Sequence, residues 1–140
     1  MTPEFCQVKH DPAMGTHGDC YRACIASILD LSWRDVPHFY ADTQDPNIAV
    51  KQCNEWLAER GYALFHTRYD PHAPLEGMLE YMGKLNGGLH YILYCKTSTD
   101  ATHVVVCKGD KIVHDPAWYP HKIIGPPDTD GWQIDVIVVR

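Results

Sequence analysis

The sequence predicts an α+β domain in which a central N-terminal helix packs against a C-terminal antiparallel β-sheet. Three observations lead there. Between residues 19 and 60 apolar side chains recur at helical spacing. After residue 88 the chain changes to β-branched and aromatic runs separated by glycine, proline and polar clusters. Helices that come first and strands that follow belong to α+β rather than to alternating α/β folds. At 140 residues the chain reads as a single domain, 1–140, long enough to bury a core without disulfides or metal.

Taken in order, residues 1–18 read as an irregular arm, because Pro3, Pro12, Gly15 and Gly18 break any period. Asp19 is the expected cap of a helix of about a dozen residues. Cys24, Ile25, Ile28 and Leu31 form its apolar face, and the small Ala23, Ala26 and Ser27 let neighbours approach closely. Ser32-Trp33-Arg34-Asp35 has the form of a capping box opening a short helix that Pro37 stops. Asp45-Pro46 reads as an N-cap followed by proline at the first helical position. That helix runs to Arg60 with Ala49, Cys53, Trp56, Leu57 and Arg60 along one side, and Gly61 ends it. Tyr62–His66 is a short strand. Pro74 opens a weaker helix carrying Leu75, Met78, Leu79 and Met82, with Gly77 and Gly83 counting against it. Strands are expected at Leu89–Lys96, His103–Cys107, Lys111–His114 and Trp132–Val139.

The bulk numbers exclude several function classes. A net charge of −6 with scattered basic residues argues against binding nucleic acid through phosphate contacts. No apolar stretch approaches the roughly 18 residues of a membrane span. The start of the chain has neither a basic segment nor an apolar one, so a cytoplasmic protein is expected. In that compartment the six cysteines, Cys6, Cys20, Cys24, Cys53, Cys95 and Cys107, are reduced thiols rather than disulfide partners.

The chemistry centres on Gly18-Asp19-Cys20. A cysteine in the first turn of a helix meets unpaired backbone N–H groups and the positive end of the helix dipole, which favour a thiolate. Cys24 lies one turn on, on the apolar face, and reads as core. Asp19 beside the thiol opposes ionisation unless its own charge is absorbed. A cysteine nucleophile also needs a base, and the base needs a group to orient it.

His103, at the head of Val104-Val105-Val106-Cys107, is the candidate base, and Asp115, ending Lys111-Ile112-Val113-His114, is the candidate orienter. Hairpin register decides whether the two meet. A three-residue loop over Lys108–Asp110 sets His103 opposite Asp115 on the same face. A two-residue Gly109-Asp110 turn instead sets Asp115 opposite Val104, pointing away, unless a bulge restores the alignment. His114 is expected to face the other way and to be structural. Trp33, Trp118, Tyr119 and Trp132 read as core or cleft rim.

A cysteine at a helix start, a histidine opening a strand and an aspartate ending the next strand come in the order found in papain-like cysteine peptidases. The chain resembles in particular the small C39-like branch and its bacterial and phage relatives. The likeness lies in Asp19 before Cys20, Ala23-Cys24 after it, Ala26-Ser27, His103 before its valines, and Val113-His114-Asp115-Pro116. It runs from about Gln7 to Trp118 and is thin between residues 32 and 88. The resemblance implies a papain-like fold and hydrolysis of a peptide, isopeptide or related amide bond in a peptide or protein substrate. Cys20, His103 and Asp115 form the implied triad, with no cofactor and no metal. It also implies a glutamine donor to the oxyanion hole, here Gln7, thirteen residues before Cys20. The transporter domains to which many such peptidases are fused are not present in this sequence, so leader-peptide processing is not implied.

Two other readings stand beside the enzyme. One is a non-catalytic papain-like accessory protein that recognises a host partner. The other is a zinc-stabilised domain drawing ligands from Cys6, His10, His17, Cys20 and Cys24, although no Cys-x-x-Cys pair is present.

Overall fold

Helix α1 (Cys20–Ile28) starts where Gly18 passes the backbone of His10. A Cβ at residue 18 would lie 3.2 Å from both the His10 nitrogen and the His10 Cβ. The structure is a computed structural model that describes residues 1–99 and 101–140. Tyr21 and the whole run Ala23–Ser27 are buried, so α1 is apolar nearly all round rather than along one stripe. It is shorter than the periodicity predicts. Asp30 takes a left-handed φ of +56°, Leu31 N–H bonds to Ala26 O (2.9 Å) and Asp30 N–H to Ser27 O (3.3 Å). This is a Schellman ending with aspartate where glycine is usual, so no glycine announced the stop.

The chain forms two compact units: Met1–Leu64 with Pro116–Trp118 and Val138–Arg140, and Phe65–Asp115 with Tyr119–Ile137. The first carries α1, a 3₁₀ turn at Trp33–Asp35 and helix α2 (Pro46–Ala58). Ser32 Oγ accepts from Arg34 N–H, and Asp45 Oδ1 accepts from Asn47 N–H at 2.9 Å, as both caps were expected to do. Ala49, Cys53 and Leu57 are the buried face of α2, and Gly61 follows it with φ +84°. Arg60 lies over the Trp56 ring at 3.9 Å, so this end of the helical stripe stays at the surface.

The second unit is built on an antiparallel sheet. Strands β1 (Tyr62–Tyr69), β2 (His90–Thr97), β3 (Thr102–Lys108), β4 (Lys111–His114) and β6 (Trp132–Val139) run in the order β1-β6-β2-β3-β4. A short β5 (Ile123–Gly125), not foreseen from the sequence, pairs with the end of β2. Helix α3 (Leu75–Leu85) supplies Met78 and Met82 to a core with Tyr91, Leu93, Cys95, Val105, Cys107, Trp132 and Ile134. These strand residues alternate, so they share one face of the sheet. The opposite face, Ile92, Tyr94, Val104 and Val106, is buried as well, which explains the unbroken apolar runs of β2 and β3. Gly83 has a packing reason inside α3: a Cβ there would lie 2.9 Å from that of Asp110.

The β3–β4 hairpin combines two of the arrangements considered above. Lys108 pairs with Lys111 and Cys107 with Ile112, which makes Gly109-Asp110 a two-residue turn with Gly109 at φ +60°. Glycine with positive φ at the first central position is the type II′ pattern. The register then shifts, and Val106 pairs with His114. The bulge moves Asp115 one step along, onto the face of Val105 and His103.

Candidate active site

In the first unit, Cys20 is the first residue of α1 and is partly exposed, whereas Cys24 is fully buried. The two cysteines lie one turn apart on the same side of the helix, and it is the place of Cys20 at the helix start that leaves its thiol partly accessible while Cys24 is in the core. Asp19 occupies the N-cap position, but its side chain makes no capping bond. This corrects the expectation that it caps the helix. The fully buried carboxylate instead accepts Gln7 N–H (2.9 Å), Val8 N–H (2.8 Å) and a two-nitrogen contact from Arg22 at 3.1 and 2.6 Å. Those donors offset part of the charge that opposes a thiolate next door. They also fasten the N-terminal arm to the start of α1.

The interval from Gln7 to Cys20 is taken up locally. Asp11 and Thr16 exchange backbone bonds of 3.1 and 3.0 Å, folding the intervening residues into a loop, and Asp19 N–H closes its base on Val8 O. Gln7 is thus tied through its backbone to the residue preceding Cys20. Its side-chain amide donates to Phe5 O at 3.0 Å, and the residue is exposed.

The arm also brings in a residue to which the sequence reading gave no catalytic role. Cys6 is 6% exposed, and its side chain is hydrogen-bonded to Cys20. That bond, then burial, then the neighbouring Cys20 and the Asp19 carboxylate raise its pKa far above an ordinary thiol. Cys6 therefore keeps its proton and can donate it to Cys20. Cys6 N–H in turn bonds to Pro116 O at 2.9 Å.

In the second unit, His103 is the second residue of β3 and is 4% exposed. Its Nε2 lies 2.7 Å from Asp115 Oδ1, the pairing that the bulge makes possible. The other carboxylate oxygen, Oδ2, lies 2.6 Å from Nε2 of His121, whose side chain is 5% exposed. The two imidazoles pack edge to face with centroids 4.5 Å apart, and Tyr119 packs on His121 at 5.6 Å. Nothing in the sequence distinguished His121 from the other histidines, since it lies in a loop with no period. Asp115 is thus a carboxylate shared between two buried rings, and its own side chain is about one-third exposed.

A second histidine–carboxylate pair lies in the same unit. Asp135, fully buried on β6, accepts from Tyr94 Oη at 2.7 Å and pairs with His66 Nδ1. The signal for it was a charge inside the apolar run Ile134-Asp135-Val136-Ile137.

Of the sequence-derived site residues, Cys20 and Gln7 belong to the first unit and His103 and Asp115 to the second; His103 and Asp115 are in direct contact. His114 is buried, and Trp132 is a core residue whose Nε1 donates to Ala73 O. Trp118 is exposed. Among the described residues, the Cys and His residues of the N-terminal zinc reading meet only in pairs, Cys6 with Cys20 and His10 with His17, and no three of them are close enough to hold a metal ion. Cys24 is in the core, and His17 Nδ1 is bonded to Gln44. Among the described residues, the group close enough to hold a metal ion is His103, Asp115 and His121. Comparison of the chain with protein-family models, with curated proteins and with solved structures returned no match.

Proposed function

We propose that this protein is a papain-like cysteine hydrolase that cleaves a peptide, isopeptide or related amide bond in a peptide or protein substrate. The observation that carries the reading is the 2.7 Å bond between Nε2 of the buried His103 and the Asp115 carboxylate. Support comes from Cys20 at the start of α1, with a neighbouring thiol that keeps its own proton.

In the reaction, Cys20 attacks the carbonyl carbon while His103 takes the thiol proton on Nδ1, because Nε2 is engaged by Asp115. His103 then protonates the leaving amine, and Asp115 stabilises the imidazolium formed in between. The Cys20 backbone N–H and the Gln7 side-chain amide stabilise the oxyanion. Gln7 first has to exchange its bond to Phe5 O for the substrate oxygen. Water releases the acyl-enzyme, and an acyl transferase would use the same parts with a different acceptor. The reduced thiols of this chemistry fit a reducing cytoplasm.

Iodoacetamide labelling against pH tests the reading. Cys20 should label preferentially below pH 7, and His103→Ala should abolish that preference. Cys20 reactivity equal to that of the other cysteines, unchanged in His103→Ala, overturns it. A papain-like binding protein without turnover is the second reading, favoured by the Gln7 side chain being bonded within its own arm. Labelling of Cys20 without cleavage of any member of a peptide and ubiquitin-like library would select it.

A further inference from the structure

We propose that His103, Asp115 and His121 form a binding site for a divalent transition-metal ion of the zinc type. The site goes beyond the hydrolase reading and does not depend on it, since all three ligands belong to the second unit.

The donor set carries the first part of the argument. Two imidazole nitrogens and one carboxylate oxygen are ligands for zinc and its first-row neighbours. The hard ions magnesium and calcium prefer oxygen alone. Three protein ligands with a remaining position for water is the pattern of an open zinc site.

Geometry carries the second part. A carboxylate that only orients a base needs a single imidazole. Here both oxygens are used, and both histidines present the same ring atom, Nε2, at 2.7 and 2.6 Å. One donor atom from each of the three residues lies within 4.8 Å of the other two. Tetrahedral ligands bonded at about 2.0–2.2 Å are about 3.3 Å apart, so closing on an ion takes a shift of about an ångström or a little more. Asp115 can make it: its side chain is the exposed one of the three and lies just past the end of β4.

Preorganisation carries the third part. The rings are held against each other at 4.5 Å and 68°, and Tyr119 backs His121. A dication entering here replaces the hydrogen-bond protons between the rings and the carboxylate. Each imidazole coordinates through its Nε2 lone pair, and any Nε2 proton moves to Nδ1 or to solvent. Coordination draws Asp115 off its bond to His103 and occupies the nitrogen that bond orients. Metal binding and the proposed hydrolase chemistry therefore exclude one another, so where the hydrolase reading holds, zinc is an inhibitor.

The test uses the full chain with zinc and cobalt(II). One equivalent should bind, with X-ray absorption showing a nitrogen/oxygen shell at about 2.0 Å and no sulfur shell at about 2.3 Å. His121→Ala and Asp115→Ala should each weaken binding at least about tenfold while retaining the far-UV circular dichroism of the parent. The Cys6→Ser/Cys20→Ser double variant should bind as the parent does. A sulfur shell, unchanged affinity in His121→Ala, or no binding by the parent overturns the proposal, and the absorption measurement stands even where a variant fails to fold. Metal bound as described, together with Cys20 labelling that ignores His103→Ala, would keep the metal site and remove the hydrolase reading.

Discussion

Val106 faces His114 across the β3–β4 hairpin, whereas Cys107, its neighbour on β3, faces Ile112. The extra residue, Val113, brings Asp115 onto the face of His103 despite a two-residue turn, and the two side chains meet at 2.7 Å. Deleting Val113 should close the ladder and keep Asp115 in step with Val105. Inserting an alanine between His114 and Asp115 should send the carboxylate to the other face and remove the dyad. Nitrogen chemical shifts of the His103 ring, read by NMR in both variants, check this. A dyad that survives the insertion would refute the register argument.

Asp19 should be among the costliest residues to truncate. Its carboxylate is fully buried with Arg22, and Asp19→Ala would leave the guanidinium, 13% exposed, without its counter-charge and two arm amides without an acceptor. A loss of about 3 kcal/mol is expected in urea denaturation. A loss below about 1 kcal/mol would mean the arm is not held by this carboxylate.

Asp135→Ala should likewise destabilise by about 3 kcal/mol, since it strips the acceptor from the Tyr94 hydroxyl and from His66. Tyr94→Phe removes only a hydrogen bond to a charged group and should cost about 2 kcal/mol. Equal denaturation midpoints for Tyr94→Phe and the parent would show that the hydroxyl bond adds nothing.

Stability should fall in alkali. Burial pushes the Cys107 thiol up to about 12 from an ordinary 9.0, and its hydrogen bond with Tyr91 only partly offsets this. Between those values the unfolded chain loses a proton that the folded protein keeps. The stabilisation is therefore complete below about pH 9 and is lost as pH rises, by about 1.4 kcal/mol per unit for this group. Cys6, raised in the same direction, adds to the slope. Urea denaturation at pH 9 and pH 10, before tyrosines join, should show a shallower fall in Cys107→Ala. Identical slopes in parent and variant would contradict the assignment.

Much of this was legible because local signals and tertiary structure agreed. Asp45-Pro46 and Gly61 bracketed α2, and the spacing of Met78 and Met82 marked the buried face of α3 through two glycines. The separation of Cys20 from Cys24 followed from their places along the helix, the first at its start and the second one turn deeper. Where the reading failed, a long-range partner had taken a group that local rules assign elsewhere. Asp19 looks like a cap because aspartate before a helix usually bonds forward. Its carboxylate is turned backward by the amides of Gln7 and Val8, a competition invisible in a window of ten residues, and Arg22 one turn on holds its other side. α1 overran in the reading because its stop is a left-handed aspartate.

The candidate triad divides the same way. Residue type and order determined that Cys20 begins a helix, that His103 lies at the start of a strand and that Asp115 follows the end of the next one. Those are properties of spacing, and spacing is written in the chain. The hairpin offered two registers with opposite consequences, and a one-residue bulge, paired strand against strand, selected the consequence. His121 and Cys6 came to their partners only through folding. Each lies outside any periodic element, so its partner is set by where the loop or arm is pinned. That pinning is a tertiary event: Asp115 held between two rings, and the arm held by a buried carboxylate.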